Sequence, residues 1–253
     1  MTKRIGIVGG VGPLASVYFY ERLLRLSGAS DDADYPAAVL VAEPMPSRIE
    51  HLLGRGESPL PQLLNTVEQL ERAGADVIAI PSATTHAYRT ELCDAVGVPV
   101  FDLLAETGVA LRRRRLRRPL LLATEATAEL RLYEPHLAPD TIARYPDAER
   151  QARTDDFIER VKRGDPVEAL RGEFARWIEG LPSRRTGDPD CVVLACTELS
   201  VIAPPRASRV PVVDVTDVLA RAILAPGDAP SRPVRAAATP SETQRDAMSG
   251  EQP

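Results

Sequence analysis

Val192-Val193-Leu194-Ala195-Cys196-Thr197-Glu198-Leu199 runs apolar for its first four residues, reaches a thiol, and then turns polar. Unbroken apolarity over so short a run reads as a strand of a parallel sheet covered on both faces. Cys196 then falls at the strand's carboxyl end, the edge outside which open α/β sheets bind their ligands. A second stretch is built the same way. Asp76-Val77-Ile78-Ala79-Ile80-Pro81-Ser82-Ala83-Thr84-Thr85-His86 is an apolar strand ending in small hydroxyl residues and a histidine. The two stretches lie about 115 residues apart, near half the chain. This spacing predicts two similar half-domains that each offer one strand end to a shared cleft.

The totals bound the function classes. At 253 residues, one large domain or two small ones are possible, with a sizeable core. Apolar residues make up 44% and charged residues 26%, ordinary values for a soluble globular protein. A net charge of -5 argues against a general nucleic-acid binder. No apolar run is long enough to span a membrane, and Ile5-Gly6-Ile7-Val8 is too short for a signal-peptide core, so a cytoplasmic protein is expected. Cys93, Cys191 and Cys196 form no C-x-x-C pair, and His51, His86 and His136 are scattered. Neither a disulfide framework nor a metal site is expected.

Taken in order, Ile5–Val8 is strand one, and Gly9-Gly10-Val11-Gly12-Pro13 is a tight loop into a helix that runs to about Leu26. Gly10-x-Gly12-x-x-Ala15 matches the dinucleotide fingerprint. The next acidic residue at a strand end, Glu43, comes 33 positions after Gly10, where about 20 is usual, which argues against a nucleotide site. Ala37–Ala42 is strand two, followed by Arg48; a lone arginine after a strand is usually a solvated loop residue, and in this position it could instead clamp a substrate carboxylate. Pro59–Ala73 is an amphipathic helix closed by Gly74, Val77–Ile80 is strand three, and Thr85–Val96 is a helix with Cys93 packed in its core face. Val98-Pro99-Val100-Phe101-Asp102 is a short strand.

The second half opens with a helix over Leu103–Leu111 and the run Arg112-Arg113-Arg114-Arg115-Leu116-Arg117-Arg118. That run reads first as an exposed helix end, where cations suit the dipole, and second as an anion-binding patch. Leu120–Ala123 is a buried strand delivering Thr124-Glu125-Ala126-Thr127. Helices over Thr154–Arg163 and Pro166–Leu181, a polar loop Ser183–Pro189 and the Cys196 strand follow. Val210-Pro211-Val212-Val213-Asp214 echoes Val98–Asp102 and leads into a last helix, Val215–Leu224. The expected class is α/β, with two pseudo-symmetric parallel-sheet domains and the site in the cleft between them. The boundaries are 1–102 plus 213–225 for the first and 103–212 for the second. Residues 226–253 lack periodicity and are expected to be a disordered tail.

Four segments together resemble the aspartate/glutamate racemase family of cofactor-independent amino-acid racemases. They are Ile5-Gly6-Ile7-Val8-Gly9-Gly10-Val11-Gly12-Pro13, Ile80–His86, Leu121-Leu122-Ala123-Thr124-Glu125-Ala126-Thr127, and Val193–Leu199. The resemblance spans about residues 3 to 224. It implies that two cysteines face each other across the substrate's Cα, one removing the α-proton and the other returning one, with no cofactor. Here the second cysteine is Cys196, and the first is replaced by Ser82, whose hydroxyl is a far weaker acid than a thiol. By analogy, the retained cysteine acts on the L-face.

The resemblance also implies roles for neighbouring residues. Ala83 stands where an asparagine would meet the substrate, with Thr84 next to it. Thr127 and Thr197 are carboxylate donors, and Arg48 takes a side-chain carboxylate, which makes the substrate acidic. His86, Glu198, Thr124, Gly10 and Gly12 support the site. Ala123 and Ala126 stand for glycines and narrow the approach. Partners reduce to a small carboxylate-bearing molecule and a second copy of the chain in a homodimer. Three outcomes stay open: a racemase or epimerase of aspartate or glutamate, a single-cysteine decarboxylase or cis–trans isomerase of a small dicarboxylate, and a non-catalytic ligand-binding relative.

Overall fold

The structure, a computed structural model, describes residues 3–181, 188–204 and 211–225. The expected tail 226–253 and most of the expected loop 183–189 lie outside the described residues. Two three-stranded parallel sheets form the frame. The first has the order β2-β1-β3, with β1 at Ile5–Val8, β2 at Ala38–Val41 and β3 at Val77–Ala79. The second has the order β4-β5-β6, with β4 at Pro119–Leu122, β5 at Cys191–Leu194 and β6 at Val212–Asp214.

The unbroken apolar runs have a direct explanation in the packing. Side chains alternate across a strand, so each sheet presents two apolar faces. Ile5, Ile7, Val77 and Ala79 from the first sheet join Leu121, Ala123, Val193 and Ala195 from the second in one shared core. The opposite faces are covered within each half. Ile78 and Ile80 pack with Leu63, Val67 and Leu70 of α3 (Leu60–Arg72). Val192, Leu194 and Cys196 pack with Phe157 and Val161 of α7 (Ala148–Arg163) and Phe174 of α8 (Val167–Glu179).

The sequence echo is a structural one. Ile78 N–H donates to Pro99 O, and Val192 N–H donates to Pro211 O. Asp102 accepts from Ala105 N–H at the start of α5 (Leu103–Arg113), and Asp214 accepts from Thr216 N–H at the start of α10 (Val215–Leu224). Each half thus ends an extended segment on an aspartate that caps the next helix.

Several elements differ from expectation. Val98–Asp102 makes only a single bridge, Ile78 to Val100, because Pro99 has no N–H to give and Asp102 already turns into a helix cap. Residues 213–214, assigned to the first half from the sequence, pair with β5 in the second sheet. It is α10 that returns to pack on α1 (Pro13–Leu26). The expected helix 85–96 is a 3₁₀ segment, Thr84–Tyr88, followed by α4 at Arg89–Ala95. Helix α7 starts at Ala148 rather than 154, where Asp147 caps it. Short helices α2 (Arg48–Leu52), α6 (Glu125–Glu129) and α9 (Thr197–Val201) follow strand ends. No helix among the described residues is long and apolar enough to cross a membrane.

Asp214 ties α9, which begins just past Cys196, to this frame. Its Oδ1 accepts from Ser200 Oγ at 2.6 Å and from Thr216 N–H at 2.9 Å. Burial raises its carboxyl from 3.8 to about 6, with Asp217 adding to the rise and the donated hydrogen bonds opposing it. Between these values the folded state holds a proton that the unfolded chain has released, so this group's contribution to stability falls as pH rises through that window. Asp214→Asn removes the titration. The stability of Asp214→Asn minus that of the native chain, from urea unfolding, should increase between about pH 4 and pH 6 by on the order of 2–3 kcal/mol and be flat above that. A pH-independent difference would remove the buried charge from this account.

Candidate active site

The carboxyl ends of β1, β3, β4 and β5 converge on one small cavity. Its lining includes Arg48, Ser82, Ala83, Thr84, Thr124, Cys196, Thr197 and Glu198, together with Val11, Ile49 and Lys162. Nearly all the residues selected from sequence therefore meet at one place. Thr127 joins them through its hydroxyl bond to Thr84, and His86, Gly10 and Gly12 stand behind the wall. The cavity measures about 20 Å³, room for a water but not for an amino acid. Beside it lies a larger space of about 340 Å³ that shares Ile49, Thr124 and Lys162. Arg55 spans that outer space, bonding Glu50 near its own loop and Glu125 on α6.

Cys196 is buried, and its Sγ donates to Glu198 Oε2 at 3.0 Å. Burial first, then the Glu198 carboxylate, pushes the thiol well above its usual range, while Lys162 opposes them. The sulfur therefore rests protonated, with an acceptor for its proton already in contact. Glu198 reaches across to the other half of the molecule. A Cβ on Gly12 would stand 2.5 Å from Glu198 Oε1, and the backbone there has φ +106°. Glycine at 12 is what lets the carboxylate reach the head of α1. Gly10 has a different reason: a Cβ would fall 2.2 Å from the Glu43 carbonyl. Both glycines are used by the protein's own atoms, which accounts for the nucleotide-like pattern without a nucleotide.

Ser82 Oγ accepts a hydrogen bond from Thr85 Oγ1 at 2.9 Å. Its own hydrogen is left to be directed elsewhere. His86 does not serve that hydroxyl. Leu103 N–H donates to His86 Nε2 at 2.9 Å, so the ring proton sits on Nδ1 and goes to Ser82 O at 2.8 Å. Burial holds the imidazole below its ordinary pKa, so it is neutral. His86 orients the Ser82 backbone and the start of α5; it offers no base to the hydroxyl.

Three threonines close a triangle across the two halves. Thr84 Oγ1 lies 3.3 Å from Thr124 Oγ1 and 3.1 Å from Thr127 Oγ1, and the latter two are 3.0 Å apart. All three are buried. Their hydroxyls satisfy one another here and can turn to a carboxylate. Thr197 Oγ1 donates to Pro81 O at 3.0 Å, so its hydroxyl hydrogen ties the two strand ends together and leaves its lone pairs for a ligand. Arg48 has a buried Nε with no hydrogen-bond partner among the described residues. Burial lowers its pKa, with Glu198, Cys196 and Tyr88 opposing. A desolvated, unpaired guanidinium N–H is costly, and a bound carboxylate would satisfy it.

Two contributors were missed in the sequence. Lys162 sits in the last turn of α7, among surface cations that carry no distinguishing local signal, and reaches both spaces. Tyr133 is fully buried, and its hydroxyl donates to Ala195 O at 3.2 Å, holding the peptide before Cys196. No group of three or more His, Cys, Asp or Glu among the described residues is disposed to hold a metal ion.

Known proteins bear on this arrangement. A model of the Asp/Glu/hydantoin racemase family matches residues 8–223. A broad specificity amino-acid racemase of Bacillus subtilis, RacX, is 25% identical over 221 residues, covering 86% of this chain and 95% of the relative. Among solved structures, Picrophilus torridus aspartate racemase superposes with a TM-score of 0.77 at 30% identity, over 88% of this chain and 93% of that one. An aspartate racemase homologue from Pyrococcus horikoshii shares the fold with a TM-score of 0.69 at 24% identity, over 88% and 98%.

The electrostatics of the thiol can be tested directly. Glu198→Gln removes the negative charge beside Cys196 and should raise the rate of Cys196 alkylation by iodoacetamide at neutral pH by on the order of tenfold, the effect of one pK unit on thiolate fraction. Lys162→Met should slow it. Peptide mass spectrometry separates Cys196 from the buried Cys93 and Cys191. Unchanged rates in both variants would refute the electrostatic control.

Proposed function

The chain belongs to the Asp/Glu/hydantoin racemase family, and we propose that it racemises an acidic amino acid, aspartate or glutamate, through Cys196 as acid/base with Ser82 opposite. That it is a racemase-family enzyme follows from the membership; the substrate and the thiol chemistry are our reading. One observation carries it. The buried, unpaired Arg48 Nε and the Cys196–Glu198 pair line the same cavity.

An α-proton is very weakly acidic, so it must be met by an aligned, desolvated base while charge on the carboxylate side is stabilised. In this reading, the threonines Thr84, Thr124 and Thr127 take one carboxylate. Arg48 takes the other, helped by Lys162. Cys196 passes its thiol proton to Glu198 and the thiolate removes the α-proton. The carbanion is reprotonated from the other face by the Ser82 hydroxyl or a water beside it; the alkoxide or hydroxide left behind is reprotonated through solvent, and Glu198 releases the proton it took, which restores the resting state. Ser82 has no base in contact, so it can donate but not abstract. The reading therefore makes the enzyme one-sided, with proton exchange on the Cys196 face faster than inversion. The chain serves as two domains, 1–102 with α10 and 103–214, whose cleft opens to admit substrate because the closed cavity is too small.

A second reading, a single-cysteine decarboxylase or cis–trans isomerase of a small dicarboxylate, is favoured by one fact: the resting thiol is protonated and is the only thiol lining the described cavity.

Proton NMR of L-aspartate and L-glutamate in heavy water, followed by chiral analysis, tests both. Loss of the α-proton signal, with slower appearance of the D-enantiomer, is expected. Cys196→Ala should lower exchange by on the order of 10²–10⁴-fold, the range for a general acid/base, and Ser82→Cys should raise inversion relative to exchange. Absence of exchange together with carbon dioxide release from a malonate, or isomerisation of maleate, would replace the racemase reading with the second.

A further inference from the structure

The arginine run of the sequence has no part in the catalytic cavity. The fold divides it. Arg117 pairs with Asp140, and Arg118 is engaged through its main chain by Asp190 and through Nε by Asp188 O. Arg113 and Arg114 end α5 and face a separate cavity of about 360 Å³ between α5 and α10. Arg221, from α10, joins them on its wall. That volume lies in the range of small-molecule sites.

We propose that this cavity is a second binding site, for a small organic molecule with an apolar body and a doubly charged oxyanion head. The floor is apolar, made by Phe101, Val109 and Val218. Among the described residues, none of the three arginines forms an ion pair. The one carboxyl in the lining is Glu106, which burial raises and Arg113 lowers. Three guanidiniums against one carboxyl leave an excess of two positive charges when Glu106 is ionised, matched by a phosphate monoester or a dicarboxylate. Guanidinium groups bind either head in bidentate fashion. Favouring helix ends explains single cations in the last turns of α5 and α10. It does not explain why arginines from two different helices converge on one hollow with an apolar floor.

The site is separate from the catalytic cavity, since the two share no lining residue. It bears on α5 and α10, the helices that follow the two capping aspartates, and α10 packs in turn on α1 and α9.

Isothermal titration of the full chain with phenyl phosphate, phthalate and inorganic phosphate tests the proposal. Saturable binding of phenyl phosphate or phthalate is expected, and whichever is tighter identifies the head group. Binding should persist in Cys196→Ala. It should weaken by at least about tenfold in Arg113→Ser/Arg221→Ser, as loss of charge-assisted contacts predicts. Val109→Trp, which fills the hollow and keeps the charges, should also remove it, with circular dichroism verifying the fold of each variant. Binding of inorganic phosphate as tight as that of phenyl phosphate would overturn the apolar body. No saturable binding, or binding unchanged in the arginine variant, would overturn the site.

Discussion

Each sheet carries apolar side chains on both faces, and the second face of each packs into one core that α1, α5 and α10 share with both halves, through Phe19, Leu23, Leu103, Leu104, Val215 and Leu219. Burying apolar surface contributes roughly 25 cal/mol per Å², so leaving either inner face in water would be prohibitive for domains of this size. The shared core of Ile7, Ala79, Leu121, Val193 and their neighbours follows from that constraint. So does the site. Docking both sheets on the core that α1, α5 and α10 share brings the strand ends that carry Ser82 and Cys196 to one cavity.

The chemistry rests on contacts that cross between the halves. Gly12 makes room for Glu198, Thr197 donates to Pro81, and Thr84 meets Thr124 and Thr127. Each is a hydrogen bond or close approach between residues of different halves. The resting thiol is kept protonated by burial and by the carboxylate it touches.

Ser82 and His86 show how far local pattern reaches. A histidine four residues after a serine is compatible with either a structural or an activating role. The structure spends both ring nitrogens on main-chain groups, so the imidazole supports the loop instead. The Gly10–Gly12 pattern resembles a phosphate loop, yet the hollow that the glycines create is filled by Glu43 and Glu198. In both cases the residue type was legible and its partner was not, because the partner lies far along the chain.

Strand runs, capping aspartates, the repeated Val-Pro-Val motif and the thiol at a strand end are local features, and the order of residues alone determined them. They specified a parallel α/β chain of two similar halves and most of the residues that meet at the Cys196 cavity. The tertiary structure decided what depends on long-range packing. It split Thr85–Val96 into a 3₁₀ segment and a short helix, reduced Val98–Asp102 to one bridge, and placed residues 213–214 in the second sheet. It also brought Lys162 from a surface helix to the cavity lined by Cys196 and set Arg221 on the wall of one hollow with Arg113. Neither cation carries a periodic or motif signal, since its position is fixed by how α7 and α10 dock on the sheets and not by its sequence neighbours.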